Sequence, residues 1–244
     1  MVITSKQNPT VKYFSQLSEK KFRREYSAFL VEGVKSVNEA FKSPLKVLSV
    51  ICTPSLAEDY PQATVVSEQV FGSVSAEKTP QGVMAALEMP KMELSDPESS
   101  CIFLDGLQDP GNVGTIIRTA NAAGYEEIYL ADCADPFSPK AVRASMSGVF
   151  FTKIYQGTRT EVLSALSEVP KIVADMDGKD IFSFNPPAKF CLCIGNEGNG
   201  VSSEVKNSAA HTVKIPMRDT CESLNAAVSA GIAMYALKNH KENK

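Results

Sequence analysis

Residues 109–124 read Asp109-Pro-Gly-Asn-Val-Gly-Thr-Ile-Ile-Arg-Thr-Ala-Asn-Ala-Ala-Gly124, shortly after the apolar run Cys101-Ile-Phe-Leu104. An apolar run, a Pro-Gly turn and then apolar residues at helical spacing indicate a buried strand, a turn and a helix. We expect the helix over Val113–Ala123, with Asn112 as its N-cap. Ligands of open α/β sheets bind beyond the carboxyl ends of strands, so this turn is a candidate binding site.

The predicted helix has one apolar stripe and one polar face. Arg118 lies off the stripe, about 9 Å along the helix axis from Asn112, and can reach a ligand at the helix start. A solvated surface arginine is the alternative interpretation. The residues of the stripe, which should pack on the sheet, are Val113, Ile116, Ile117 and Ala120.

Strands and helices alternate along the rest of the chain, which predicts an α/β protein whose larger part is a parallel sheet covered on both faces. The polar segment 89–100 holds two prolines and predicts a linker. We expect a small α/β domain at 1–88, this linker at 89–100, and a second α/β domain at 101–244. The predicted strands are 29–31, 47–52, 64–66, 82–87, 101–104, 127–130, 153–155, 171–174, 190–194 and 212–215. The predicted helices are 9–17, 33–41, 113–123, 139–146, 161–166, 202–207 and 222–238.

Composition excludes several classes of protein. The chain has 244 residues, 43% hydrophobic and 22% charged, which is ordinary for a globular protein. It contains no apolar stretch of membrane-spanning length and no signal-peptide pattern at its start. Six scattered cysteines without a CxxC and only two histidines argue against disulfides, zinc and a Ser-His-Asp triad. We therefore expect a cytoplasmic protein that uses no metal.

Charge is distributed unevenly. The first fifty residues carry nine Lys/Arg and four Glu, a balance of +5, whereas the remainder carries 16 basic and 24 acidic residues, a balance of −8. A basic N-terminal part followed by an acidic remainder suggests that the N-terminal part binds a polyanion. The charge balance by itself is equally compatible with a basic face that is merely solvated. Lys20, Lys21, Arg23 and Arg24 are nearly adjacent and would form its densest patch.

Two further clusters follow predicted strands. Ile194-Gly-Asn-Glu-Gly-Asn-Gly-Val-Ser202 carries three glycines, which allow backbone to approach a ligand closely, and Glu197 is its one charge. Its GxxGxG order differs from the GxGxxG dinucleotide fingerprint, which argues against a nucleotide-dependent oxidoreductase. Lys214–Gly231 ends a strand at Pro216 and then opens a helix rich in small residues. Taken singly, these clusters are compatible with a tight turn and an ordinary packing helix.

Together, NxGxxxR, IGNEGxG and IPMxxxxESLN resemble, in this order and spacing, the SpoU (TrmH-type) ribose 2′-O-methyltransferases of the SPOUT superfamily. The resemblance covers the chain from Cys101 onward. The N-terminal part resembles the L30e-like substrate-binding domain of such enzymes at Ser5–Pro9, Phe29–Gly33 and Thr79–Val83. Ala226 stands where family members often carry Val, and this departure removes no residue that we assign to catalysis.

The resemblance implies a C-terminal domain with a deep trefoil knot that holds S-adenosylmethionine. Such proteins bind this cofactor largely through backbone contacts. By position, those contacts are expected from Gly195, Ile215 and Leu224, and the resemblance implies that Met217 lines the adenine pocket.

The resemblance also implies methyl transfer to a ribose 2′-hydroxyl and nominates Arg118 for its activation. A guanidinium is a poor base, so a perturbed base and an electrostatic partner of the 2′-oxyanion both stay open. The residues expected to orient Arg118, the ribose and the target nucleotide are Asn112, Glu197, Ser223 and Asn225.

The implied partners are RNA and a second copy of the chain, with the final helix at the dimer interface. The two-domain layout resembles the members that modify ribosomal RNA, so 23S rRNA is the expected substrate. A tRNA 2′-O-methyltransferase and a non-catalytic RNA-binding or assembly factor on the same fold are the alternatives. Loss of Arg118, Asn112 or Ser223 and Asn225 would mark the non-catalytic protein, and none of them is lost.

Overall fold

The computed structural model describes residues 1–196, 198–221 and 223–242, with side chains described as far as residue 238. The chain forms two compact units, one of residues 1–91 and 135–150 and one of residues 92–134 and 151–244. The helices are α1 (Pro9–Gln16), α2 (Lys20–Tyr26), α3 (Val34–Ala40), α4 (Glu68–Val74), α5 (Pro110–Ala122), α6 (Pro139–Ala144), α7 (Arg159–Ala165), α8 (Ser203–Asn207) and α9 (Ala226–Glu242). The strands are β1 (Ala28–Glu32), β2 (Val47–Cys52), β3 (Thr64–Val65), β4 (Val83–Glu88), β5 (Cys101–Asp105), β6 (Glu127–Ala131), β7 (Lys153–Gly157), β8 (Lys171–Asp180), β9 (Cys191–Gly195) and β10 (His211–Lys214).

The first unit is built on a four-stranded sheet of order β1-β4-β2-β3. β4 pairs antiparallel with β1 and β2, and β3 pairs parallel with β2. Phe14 and Leu17 from the α1 region and Phe71 from α4 pack on one face of this sheet. The sequence predicted every strand here but missed the helices α2 and α4. Ser67 caps α4 by accepting a hydrogen bond from the Val70 N–H.

Two of the N-terminal motifs that resemble an L30e-like domain, Phe29–Gly33 and Thr79–Val83, meet at one end of this sheet. The Gly33 N–H donates to the Val83 carbonyl at 3.0 Å, and the Gln81 side chain accepts the Val34 N–H at 2.9 Å. Gly33 has φ +97°, a conformation that favours glycine. The motifs Phe29–Gly33 and Thr79–Val83 therefore form one local structure.

Residues 135–150 pack within the first unit, although we assigned them to the domain at 101–244. Helix α6 packs against β1, and the rings of Phe29 and Phe137 lie 5.0 Å apart. Periodicity identified α6 as a helix, but it carries no information about which sheet receives the apolar face of that helix. The first unit is therefore built from two separate stretches of the chain.

The second unit contains a six-stranded sheet of order β10-β8-β9-β5-β6-β7. Every neighbouring pair is parallel, which confirms the predicted parallel α/β architecture. All five residues of β5 and of β6 are buried, so layers cover both faces of the sheet. α7 and α8 contribute Val162, Leu166 and Val205 to the core on one face, and α9 packs against β9 and α5.

Helix α5 begins earlier than predicted. Its N-cap is Asp109, whose side chain accepts the Gly111 N–H at 3.0 Å, so the assignment of Asn112 as N-cap was wrong. Pro110 is the first helical residue, where its fixed φ suits a helix and its missing N–H costs nothing. The predicted stripe of Val113, Ile116, Ile117 and Ala120 is fully buried, and Arg118 is exposed as expected.

Two other elements differ in length from the prediction. β8 runs six residues beyond the predicted end at 174 and pairs with β10 across a register shift between Thr212 and Val213. Helix α9 begins at Ala226 rather than at 222, because the Asn225 side chain accepts the N–H groups of Ala227 and Val228 at 2.9 and 3.3 Å.

The predicted linker is partly anchored on the second unit. Glu127, which is 2% exposed, accepts the Glu98 N–H through Oε2 at 2.8 Å. The Tyr129 hydroxyl donates to the Ser95 carbonyl at 2.8 Å. Residues 95–98 are therefore part of the second unit and not a free tether. Across the described ranges, no helix combines the length and the apolar character needed to cross a membrane.

Candidate cofactor pocket and catalytic residues

The glycine cluster forms a turn that folds back on the end of β9. Asn196 and Gly200 exchange two backbone hydrogen bonds of 2.9 Å, and the Gly198 N–H donates to Asn196 Oδ1 at 2.8 Å. A Cβ added at Gly195 would lie 2.0 Å from the Gly200 carbonyl carbon and 2.1 Å from the Val201 nitrogen. Only glycine fits at position 195 because the returning backbone occupies the space of any side chain.

A cavity of about 330 Å³ lies beside this turn, at the carboxyl ends of β9 and β10 and against the middle of β8. Its volume is within the ~300–1,000 Å³ typical of small-molecule sites. The structure brings together here three of the four predicted cofactor contacts, Ile215, Met217 and Leu224, and with them Ser223. Gly195 does not line the cavity, although Asn196, Gly198 and Gly200 beside it do.

One wall of the cavity carries an ion pair that the sequence analysis missed. Asp175 Oδ2 and Lys206 Nζ lie 2.5 Å apart, and both residues line the cavity. The hydrogen bond from Lys206 holds the pKa of Asp175 below its ordinary value, and the same contact raises the pKa of Lys206. The sequence signal for this pair was an Asp directly after the predicted strand end at 174, and such a residue is too common to assign a role.

Asn112 and Asn225, predicted to act together, do meet. Asn225 Nδ2 donates to Asn112 Oδ1 at 3.1 Å, while Asn225 Oδ1 caps α9. This contact joins the first turn of α5 to the start of α9. Farther along the two helices, a Cβ added at Gly231 would lie 3.5 Å from the Thr119 methyl, so the small residues of α9 permit close helix packing.

Arg118 is placed differently from the other predicted site residues. Its side chain is exposed on α5 and is absent from the residues that line the cavity. Within the described ranges its guanidinium makes no hydrogen bond or ion pair. Glu197, the proposed ion-pair partner, lies outside the described residues. The structure therefore assembles the cavity and the Asn112–Asn225 pair but does not bring Arg118 into the cavity of its own chain.

The other titratable groups of the described chain bear on metal binding and on thiol chemistry. No group of three or more His, Cys, Asp or Glu residues there could hold a metal ion. The six cysteines are free thiols. Burial raises the pKa of Cys133, the one beside the β5 end, to about 11, so this thiol stays protonated and unreactive at neutral pH.

The second unit is a parallel α/β domain with a cavity of small-molecule size beside the glycine turn, and comparison with known proteins identifies its family. The SpoU rRNA Methylase family model matches residues 99–235, and the MRM3-like substrate binding domain model matches residues 8–85. The chain belongs to the SpoU rRNA methylase family.

The similarity to known proteins extends over almost the whole chain. The 23S rRNA (guanosine(2553)-2′-O)-methyltransferase RlmP of Bacillus subtilis is 34% identical over 97% of this chain and 98% of its own length. A crystal structure of an AdoMet-bound rRNA methyltransferase from Sinorhizobium meliloti aligns with TM-score 0.88 at 29% identity, over 98% of both chains. The SpoU methyltransferase AviRb from Streptomyces viridochromogenes, in complex with AdoMet, aligns with TM-score 0.87 at 25% identity, over 97% of this chain and 99% of AviRb.

Proposed function

We propose that this protein transfers a methyl group from S-adenosylmethionine to a ribose 2′-hydroxyl of 23S rRNA. The observation that carries the proposal is the cavity beside the glycine turn, which is lined by Ile215, Met217 and Leu224. This cavity lies in the domain that matches the SpoU family model. The Bacillus subtilis relative, which is similar along its whole length, is named for this reaction on 23S rRNA.

The residues present fit the cofactor. Apolar side chains of Ile215, Met217 and Leu224 offer a surface for an adenine ring, and the turn anchored by Gly195 offers backbone polar groups. Asp175 and Lys206 add one charge of each sign, which suits a ligand bearing an ammonium and a carboxylate. When bound, S-adenosylmethionine supplies an activated methyl group, so the transfer itself requires no metal.

The protein's own part is to position the 2′-hydroxyl and ease its deprotonation. We propose that Arg118 eases this deprotonation, either as a perturbed base or as a guanidinium that stabilises the developing 2′-oxyanion. Asn112 and Asn225, together with Ser223 at the cavity and with Glu197, are proposed to orient the ribose and the target nucleotide. The hydrogen bond between Asn225 and Asn112 supports a joint role of these two amides.

We propose that the chain works as a homodimer through α9. Val228 and Tyr235 are 51% and 45% exposed and lie seven residues apart, two turns along one side of the helix. Such an exposed apolar stripe suits a second copy of the same helix. Because Arg118 is exposed on α5, which packs against α9, a dimer at this surface would bring Arg118 close to the partner subunit. The trefoil knot remains a prediction of the family resemblance.

RNA binding is proposed for the N-terminal part. Arg23 is buried, but the other basic residues of the first fifty are exposed and available to phosphates: Lys6, Lys12, Lys20, Lys21, Arg24, Lys35, Lys42 and Lys46. An RNA substrate and six free thiols support a cytoplasmic location.

The decisive experiment is a methyl-transfer assay with purified full-length protein and tritiated S-adenosylmethionine, using 23S rRNA and bulk tRNA as substrates. We expect label at one ribose of 23S rRNA from the wild type and little from Arg118→Ala. Label in tRNA alone would favour the tRNA enzyme. RNA binding without transfer to any RNA would favour an assembly factor.

A further inference from the structure

Asp105, the last residue of β5, is a buried carboxylate outside the candidate cavity. It is 1% exposed, and both of its oxygens are engaged. Oδ1 accepts a hydrogen bond from Arg159 Nε at 2.8 Å, and Oδ2 accepts the backbone N–H of Ser202 at 2.7 Å. The carboxylate thus connects the start of α7 with the end of the glycine turn.

The turn is held to the end of β5 at two points. At its far end, the Ser202 N–H is bound by Asp105. At its near end, Asn196 Nδ2 donates to the carbonyl of Gly106, the residue next to Asp105, at 3.0 Å. Between these points, Asn196, Gly198 and Gly200 line the cavity. The hydrogen bond of the Ser202 N–H is therefore one of the two contacts that hold the cavity wall in place.

Arg159 completes the arrangement from the other side. Its side chain is 26% exposed, and its second arm, Nη2, reaches Asp132 Oδ2 at 3.0 Å. A buried carboxylate is costly unless a counter-charge and hydrogen bonds compensate it. Arg159 provides both, because its planar guanidinium carries a positive charge and donates hydrogen bonds in fixed directions. Without it, the buried carboxylate would lose its counter-charge and one hydrogen bond, and this loss would disturb its bond to Ser202.

We propose that Asp105 and Arg159 are positioning residues for the cofactor pocket. They touch neither the cavity nor the proposed RNA-binding residues, and they act by fixing the backbone at Ser202 so that the turn keeps its binding shape. This inference rests on the proposed function, since it assumes that S-adenosylmethionine occupies the cavity beside the turn.

The variant that tests it is Arg159→Gln in the full-length protein. We expect the Kd for S-adenosylmethionine in calorimetry, and its KM in the transfer assay, to rise roughly tenfold. We expect kcat at saturating cofactor and the KM for RNA to change less than about twofold. Arg159→Lys keeps the charge but loses the fork, so it should restore part of the affinity.

Two controls separate positioning from general destabilisation. Val162→Ala shortens a buried side chain in the same helix and should lower Tm without a selective rise in the KM for cofactor. Lys153→Gln removes another ion pair of this unit, the 3.2 Å contact with Glu98. This variant should leave the Kd and the KM for S-adenosylmethionine unchanged.

Unchanged cofactor affinity in Arg159→Gln would overturn the inference, and so would an equal rise in Val162→Ala. If the wild type itself binds no S-adenosylmethionine, the proposed function fails. If the wild type binds the cofactor and Arg159→Gln binds it equally well, only the inference about positioning fails.

Discussion

The guanidinium of Arg23 binds Asp135 Oδ2 through Nε at 3.2 Å and Nη2 at 2.7 Å, although the two residues are 112 positions apart in sequence. The Arg23 side chain is 3% exposed and also donates to the carbonyls of Leu17 and Ser18. Arg23 is therefore a structural residue of the first unit, and its inclusion in an exposed basic patch was wrong.

Replacing Asp135 with Ala should destabilise the first unit. The change leaves the Arg23 charge buried without its partner, which typically costs about 3–5 kcal/mol in the free energy of unfolding. Urea denaturation of the full-length protein measures this decrease. Lys153→Gln, which breaks a more exposed ion pair, is the control and should cost less than about 1 kcal/mol. A difference between the two variants below about 1 kcal/mol would contradict the structural role.

Charge reversal at Lys20, Lys21 and Arg24 should weaken RNA binding without affecting stability. All three side chains are exposed on α2, so each can neutralise a phosphate and release counterions. We expect a higher Kd for 23S rRNA fragments. The dependence of log Kd on log salt should also become shallower, by about one in slope for each phosphate that is no longer neutralised. Equal slopes for the wild type and the triple variant would mean that this face is merely solvated.

Arg118→Ala should abolish most methyl transfer and keep cofactor affinity within a few-fold. Arg118 does not line the cavity, so its replacement removes no cofactor contact. Calorimetry with S-adenosylmethionine and the transfer assay, run on the same preparation, separate the two effects. Near-normal turnover of the variant would refute the assignment of Arg118.

Gly195→Ala should disrupt the glycine turn. The added methyl would meet backbone atoms at 2.0 and 2.1 Å, which no side-chain rotation can relieve. We expect loss of S-adenosylmethionine binding and a lower Tm. Gly72→Ala is the matched control, because a Cβ there meets nothing within 4 Å. Since Gly72 lies inside α4, this control should gain about 0.5–1 kcal/mol. A Gly195→Ala protein that binds normally would show that the close approach is not required.

Glu32→Gln should stabilise the protein at neutral pH. Burial raises the pKa of Glu32, while hydrogen bonds from Ser75 and Ala76 oppose the shift only in part. A carboxyl whose pKa is raised by folding stabilises the fold while it is protonated, and that contribution is lost as pH rises through its folded-state pKa. The advantage of Gln, measured as the difference in unfolding free energy, should therefore shrink as the pH falls below that pKa. A pH-independent difference would contradict the effect of burial.

Much of the fold was predictable because its signals are local. The segments predicted at 101–104 and 127–130 are buried parallel strands in the structure, and the stripe on α5 identified its buried face. The start of α5 was misplaced because Asp109 and Asn112 are both good caps, and Pro110-Gly111 is as typical of a turn as of a helix start. Local chemistry could not rank these alternatives.

A second kind of error concerns partners that are distant in the chain. Nothing near Arg23 indicates that Asp135 will cover it, and nothing near Asp105 indicates Arg159 or Ser202. The candidate cavity was largely predictable because Ile215, Met217 and Leu224 belong to one motif. The ion pair of Asp175 and Lys206 was not, because each residue is ordinary in its own segment.

The inclusion of residues 135–150 in the first unit has a consequence for synthesis on the ribosome. When residue 91 has been added, Phe29 still lacks Phe137 and Arg23 still lacks Asp135. At ~5–20 residues per second, the nascent chain needs about 3–12 s more before residue 150 exists. During that interval β6 is also made, so the second sheet begins to emerge before the first unit is complete. A chaperone that shields nascent chains would meet this protein with β1 still lacking the helix that packs on it.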